Sequence, residues 1–477
     1  MTSEPGAIEA PPPARPGVLD LYRSVWLAVR GALVRHPLAI LVEVVLVATW
    51  FVLRTVVGVE TAPYLVWALV TATIAVISPA SGLVILAATA PFFEPVTVSR
   101  VLGVRHVLVA VLGVSVVVRL AAGGWRRMPW PAPVRMAIVV AVVTLLGVVN
   151  TWRTFPAEWA TVATHTWLSS IGGAMILLVV GVWVAASGSV RFAAAAIGAT
   201  TVAVALSLLD LLGPGSISTG PLAWIGFWKD FGPRLGGAIP SPNGMAALAV
   251  MPACVVAALA VLGRDRTIRI TAAVAAVILF VAMYLTYSRA AILSLFGLAV
   301  VISWRLHRRL GQAVFVAGLV AGILLLPTYL QLRGQAGSLG AAEPGTVLVA
   351  SDRDRITGWQ AATSMFTDKP VTGQGFLAYK QLADSYGDPI LSSPHNEWLR
   401  LFAEEGIAGG LAGLAFGVTT LSWLAHGRGA LGAGILAGTT GYFTMATFNN
   451  PLLFVSVSAV VYPMIGLALV RVSRSRE

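Results

Sequence analysis

The sequence predicts an all-α polytopic membrane protein with about 12 to 14 crossings and one large external loop. Three observations carry this. The 477 residues are 57% hydrophobic and only 11% charged, against about 25% charged in an ordinary soluble domain. A chain this long would otherwise be about three soluble domains, and so few charges cannot cover their surfaces. The mean hydropathy is +0.84, so apolar side chains must face lipid. Finally, apolar runs near the roughly 20 residues needed to span hydrocarbon recur along the chain. They fall at 38–57, 62–79, 82–98, 104–120, 135–150, 166–186, 191–212, 242–263, 268–286, 289–304, 311–330, 397–425, 429–447 and 451–471.

The chain divides around these runs. Residues 1–35 are polar and Pro-rich (Pro11, Pro12, Pro13, Pro16) and read as a disordered cytoplasmic tail with no cleavable signal. Residues 36–212 form N-terminal membrane helices. Residues 213–425 form a distinct unit that includes the long polar segment 331–396, and 426–477 form C-terminal helices and a basic tail. No internal repeat is evident, so an inverted-repeat transporter gains no support.

The net charge of +12 reads first as topology rather than nucleic-acid binding. Arg clusters at 23–35, 119–135, 264–269, 305–309 and 471–476 all fall on the side of the N-terminus if each run crosses once. Both termini are therefore expected in the cytoplasm. Segments 213–240 and 331–396 then face outward; the second carries five basic and six acidic residues, net −1. Its Trp359, Phe366, Phe376, Tyr379 and Tyr386 argue that it is at least partly folded. The single cysteine, Cys254, excludes a disulfide framework and a thiolate metal site.

Ionisable residues at the membrane edge are the informative ones. In Ser392-Ser393-Pro394-His395-Asn396-Glu397, Ser393 can cap a helix and Pro394 can occupy its first position. His395 would then sit in the first turn, at the external face, where the positive helix end favours neutral imidazole and a bound anion. The competing reading is a capping-turn histidine that only hydrogen-bonds its loop. Arg234, Arg289, Arg353 and Arg355 map to the same side. Their planar guanidiniums suit phosphate, although lipid anchoring or a local ion pair would also explain them, above all for Arg353 between Asp352 and Asp354. That Asp-Arg-Asp triplet also has the spacing of a divalent-metal motif, but flanking arginines oppose it. Glu404 can pair with Arg400 four residues earlier. Glu405, about 15 Å along the helix from His395, reads as structural.

Several of these pieces occur in one order: Arg234 through Asn243, Ser288-Arg289, Arg355-x3-Trp359, Pro370-x2-Gly373-x-Gly375-x3-Tyr379, and His395-Asn396-x9-Gly406-x2-Gly409. This series, over roughly residues 220–425, resembles the O-antigen ligase/polymerase superfamily of membrane glycosyltransferases with the Wzy_C-type domain. The resemblance implies a GT-C-like helical fold in a bacterial cytoplasmic membrane. It implies transfer of a glycan from a polyprenyl pyrophosphate carrier to an acceptor hydroxyl on the outer face; from the residues themselves no cofactor, metal or nucleic acid is expected. Acceptors in the family are lipid A-core, another carrier-linked repeat unit or a protein hydroxyl. Carried onto this chain, His395 is the expected catalytic base, and Arg289, Arg355, Arg234, Asn396 and Arg353 the expected substrate-binding residues. The chain departs from the pattern in a longer Arg-rich N-terminal part. The chemistry suits these residues independently. Pyrophosphate leaves as a stable anion, so the reaction needs a base for the hydroxyl and cations for the developing charge. The rival class is a transporter or flippase for a lipid-linked glycan, which would not explain so long an external segment.

Overall fold

A computed structural model of the chain describes residues 37–53, 55, 61–92, 103–212, 235, 239, 241–320, 324, 346–388 and 393–476. The expected tail 1–35, Arg234, and the stretches 213–234, 331–345 and 389–392 lie outside the described residues. The described chain is helical, with no strand. Its long helices are α1 Pro37–Val52, α2 Thr61–Ile77, α3 Pro79–Thr89, α4 Val104–Ala121, α5 Ala132–Thr154, α6 Ala157–Ser169, α7 Ile171–Ala186, α8 Arg191–Leu212, α9 Pro242–Leu262, α10 Arg266–Leu285, α11 Arg289–Leu306, α12 Thr346–Asp368, α13 Glu397–Leu424, α14 Gly429–Phe448 and α15 Val455–Arg474. Residues 308–320 are also helical.

Among the described residues, nine helical spans are long and apolar enough to cross a membrane, with α6 and α7 counting as one span. The expected run 82–98 is an 11-residue helix, α3, as far as it is described, and the expected break at 150–166 is largely filled by α6. The helices pack through small residues, as they must where lipid offers no hydrophobic drive for association. On α14, Gly434 lies where a Cβ would come within 2.6 Å of the Val255 backbone, and Gly438 faces Met251 in the same way, so α14 and α9 meet backbone to backbone.

The bundle has two distinct ends. At one, arginines hold helix C-termini. Arg119 donates to the Val76 and Ile77 carbonyls (2.9 and 2.8 Å) at the end of α2. Arg269 donates to Ala260 (3.0 Å) near the end of α9, Arg305 to Ala425 (3.0 Å) after α13, and Arg474 to Ala186 (2.6 Å), the last residue of α7. Each guanidinium satisfies carbonyls the helix leaves orphaned and sits at the negative end of its dipole. The other end gathers the start of α13, the end of α5, the α10–α11 turn and the end of α14. There Asn450 donates to the Ser393 hydroxyl, and the Leu235 N–H donates to the Leu285 carbonyl at 3.0 Å.

Candidate functional site

The segment 331–396 is not a plain loop: its described part opens with the 23-residue helix α12. The following residues, 369–388, fold back on α13 around a small core of Ala361, Ala362, Met365, Tyr379, Ala383 and Ala403. Docking depends on a break in α13 at Gly406, whose φ is 65° and ψ −161°. Only glycine tolerates that backbone region, and a Cβ there would meet the Val371 carbonyl oxygen at 2.5 Å. The break redirects helical hydrogen bonds. Ile407 N–H donates to the Pro370 carbonyl (2.8 Å) rather than to Ala403. The freed Ala403 and Glu404 carbonyls accept from Gln374 N–H (3.0 Å) and Gly375 N–H (2.8 Å).

The other side of the same segment is held by α5. Phe376 N–H donates to the Gly147 carbonyl at 3.2 Å, and the Thr151 hydroxyl reaches the Phe376 carbonyl at 2.9 Å. The Pro370, Gly373 and Gly375 pattern therefore has a structural cause: a non-helical segment wedged between two membrane helices with backbone amides and carbonyls paired across both sides.

A buried ionic chain supports this wedge. Arg400, 2% exposed, pairs with Glu397 and, at 2.9 Å, with Glu404. Glu404 Oε1 accepts the Tyr379 N–H at 3.2 Å. The Tyr379 hydroxyl lies 2.6 Å from Asp388 Oδ2 and 3.1 Å from the Gly358 carbonyl of α12. Burial and the neighbouring Asp388 carboxylate push the Tyr379 phenol well above its usual range, so it stays a donor. The expected Arg400–Glu404 pairing is present. Glu405 is 4% exposed and its carboxylate lies against Gly147 of α5, where a Cβ would collide with Oε2 at 1.7 Å.

His395 is not in the first turn of α13. The helix begins at Glu397, and Asn396 is the cap, its Oδ1 accepting the Trp398 and Leu399 N–H groups (both 3.1 Å). Asn wins over Ser393 because its amide oxygen spans to two orphan donors, while Ser393 is taken by Asn450. His395 precedes the cap with a left-handed φ of 51°. Among the described residues two other non-glycine residues share this backbone, Leu377 and Tyr287. Each of the three lies in or beside one of the ordered sequence motifs, where local strain of this kind tends to mark function.

His395 is half-buried. Burial holds its proton affinity below the ordinary histidine value, the positive Arg355 lowers it further, and Asp388 acts in the opposite sense. Imidazole is therefore neutral at pH 7 and able to accept a proton. The structure thus brings Arg355 and His395 together electrostatically and adds Asp388, a residue the sequence reading counted only as loop charge. No sequence pattern marks Asp388; only its fixing by Tyr379, nine residues earlier, gives it a place. Arg289 opens α11 at the same end of the bundle, opposite Arg305. Arg353 lies on α12, two residues before Arg355. Asp354 is half-buried on α12. Among the described residues no three His, Cys, Asp or Glu side chains converge as a metal shell.

A search of curated proteins finds no match to this chain. Residues 274–414 match the Wzy_C family, described as O-antigen ligase. The matched stretch runs from within α10 into α13 and takes in Arg289, Arg355, the docked segment, His395 and Gly406. This is an all-helical polytopic membrane protein in which residues 274–414 match the O-antigen ligase family.

Proposed function

We propose that the protein is a glycosyltransferase that moves a glycan from a polyprenyl pyrophosphate carrier to an acceptor hydroxyl at the outer face of the bacterial cytoplasmic membrane. The observation that carries this is His395: half-buried, in a left-handed turn just before a capped membrane helix, with its proton affinity lowered by burial and by Arg355. In the proposed step, His395 takes the proton of the acceptor hydroxyl as its oxygen bonds to the anomeric carbon. The anomeric C–O bond to phosphate breaks, and the electron pair leaves on the pyrophosphate. Arg355 and Arg289, with Arg234, hold that pyrophosphate; Arg353 is a further contact. Bidentate guanidinium geometry suits its oxygens and stabilises the charge that grows there. Asn396 touches the same ligand zone from the cap and keeps the His395 turn in place.

The arginine-capped end of the bundle is the cytoplasmic face in this reading, because basic residues collect there. The test of topology is a Ser385→Cys variant probed in intact cells with an impermeant thiol reagent. Ser385 is exposed, and Cys254 is buried and gives little background. Labelling only after permeabilisation would reverse the assignment.

The test of function is a transfer assay with purified protein, a polyprenyl pyrophosphate-linked glycan and an acceptor. Wild type should form the transferred product and release carrier pyrophosphate with chelator present. Arg289→Lys and Arg355→Lys should each lose most turnover, since lysine cannot make the bidentate contact. Movement of the carrier across vesicles without transfer would instead indicate a flippase. Loss of wild-type activity on chelation would favour a metal held by Asp352 and Asp354.

A further inference from the structure

At the arginine-rich end, two guanidiniums share one cavity. Arg119, Arg269, Arg305 and Arg474 each hold a helix carbonyl. The exposed side chains of Arg428 and Arg471 make no hydrogen bond or ion pair to the described residues. Both line one cavity of about 230 Å³ between α13, α14 and α15, with Leu431, Ile435 and Ala468 forming apolar walls and Ser475 on the rim. No carboxylate lines it.

Two unpaired cations beside an apolar wall at a membrane edge fit a ligand that is anionic at one end and hydrocarbon at the other. Arg favours phosphate oxygens, and basic pockets between membrane helices bind anionic headgroups. The cavity is smaller than the roughly 300 Å³ or more of a site that encloses a whole small molecule, so it fits a headgroup whose acyl chains stay in the bilayer. Arg428 also caps α14 through its backbone, with no side-chain cap, so free N–H groups face the same end. The site lies at the far end of α13 from His395, a separation of about 40 Å for the 28 residues of that helix. It therefore stands apart from the proposed transfer site.

We propose that this cavity holds the phosphate headgroup of an anionic membrane lipid, with Arg428 and Arg471 on the phosphate. The test uses the full-length protein in nanodiscs of phosphatidylcholine alone or with phosphatidylglycerol, read by the thermal unfolding midpoint and by native mass spectrometry of retained lipid. Phosphatidylglycerol should raise the midpoint by a few degrees and appear as a retained lipid. The double variant Arg428→Ala/Arg471→Ala should lose both signals. Ser475→Glu, which adds a surface carboxylate beside the two cations without touching the core, should weaken both and serves if the double variant misfolds. Arg309→Ala, an exposed basic residue outside the cavity, should keep both. An equal phosphatidylglycerol response in wild type, the double variant and Ser475→Glu would overturn the proposal. So would inorganic phosphate in phosphatidylcholine nanodiscs reproducing the shift, because the site would then read a free anion and not a lipid.

Discussion

The two ends of the bundle use the same residue type for opposite purposes. At the arginine-rich end, Arg119, Arg269, Arg305 and Arg474 donate to helix carbonyls. These are local contacts, exposed and structural, and each offsets a dipole end. At the His395 end, Arg400 is buried between two carboxylates and Arg355 acts on a histidine. Arg105 shows that the division is not absolute, since it donates to the Thr89 carbonyl (2.8 Å) at the end of α3. The lesson is that a basic cluster at a membrane edge first serves the helix ends. A guanidinium becomes a candidate for ligand chemistry where burial or a titratable neighbour sets it apart.

Removing the histidine should break this contrast most sharply. His395→Ala should lose about 10²–10⁴-fold in transfer rate, the usual contribution of a positioned base, while the protein still inserts and keeps its unfolding midpoint. A normal rate would remove His395 from the chemistry and leave it a turn residue.

The buried ion chain gives the next largest effect, read on stability. Arg400→Ala leaves Glu397 and Glu404 without their shared cation and should cost about 3–5 kcal/mol, measured by thermal or chemical unfolding in detergent. A change near that of an exposed-arginine variant would mean the pair does not anchor the wedge. Gly406→Ala should follow at about 1–3 kcal/mol, because alanine is forced into a backbone region open to glycine and its Cβ meets the Val371 carbonyl.

The pH profile sharpens the electrostatic half of the comparison. His395 has its proton affinity lowered, so neutral imidazole persists below the ordinary histidine value and activity should fall only as the pH drops past that point. Arg355 lowers the affinity and Asp388 raises it. In the residual activity of Arg355→Ala the acid limb should therefore move to higher pH, and in Asp388→Asn to lower pH. Shifts in the same direction in both variants would contradict the arrangement. At the other end, Arg119→Ala should cost only about 0.5–1.5 kcal/mol, the net value of a lost hydrogen bond, with no change in pH profile.

Much of the helical plan is legible in the sequence, because a bilayer demands a recognisable length of apolar chain and leaves few alternatives to a helix. The same holds for the pairing of Arg400 with Glu404, a consequence of helical spacing alone. The place of His395 beside the start of α13 is legible, with the helix start off by three residues. Its helix geometry is not, because Ser393 and Asn396 are both competent caps and the choice between them depends on Asn450, 57 residues beyond Ser393. The motif Pro370-x2-Gly373-x-Gly375 can be seen as a pattern but not understood as one. Its glycines matter because α13 breaks at Gly406 and α5 presents Gly147 and Thr151.

What the sequence determined by itself is thus the class of solvent, the approximate crossings, the sorting of charge between two ends and the histidine to examine. These follow from composition and local spacing, which act residue by residue. The tertiary structure alone decided that 369–388 is a docked wedge, that Tyr379 fixes Asp388 within electrostatic reach of His395, and that Arg428 and Arg471 share a cavity. Each of these joins residues from different helices or chain segments, so none leaves a periodic or local trace, and packing rather than propensity sets it.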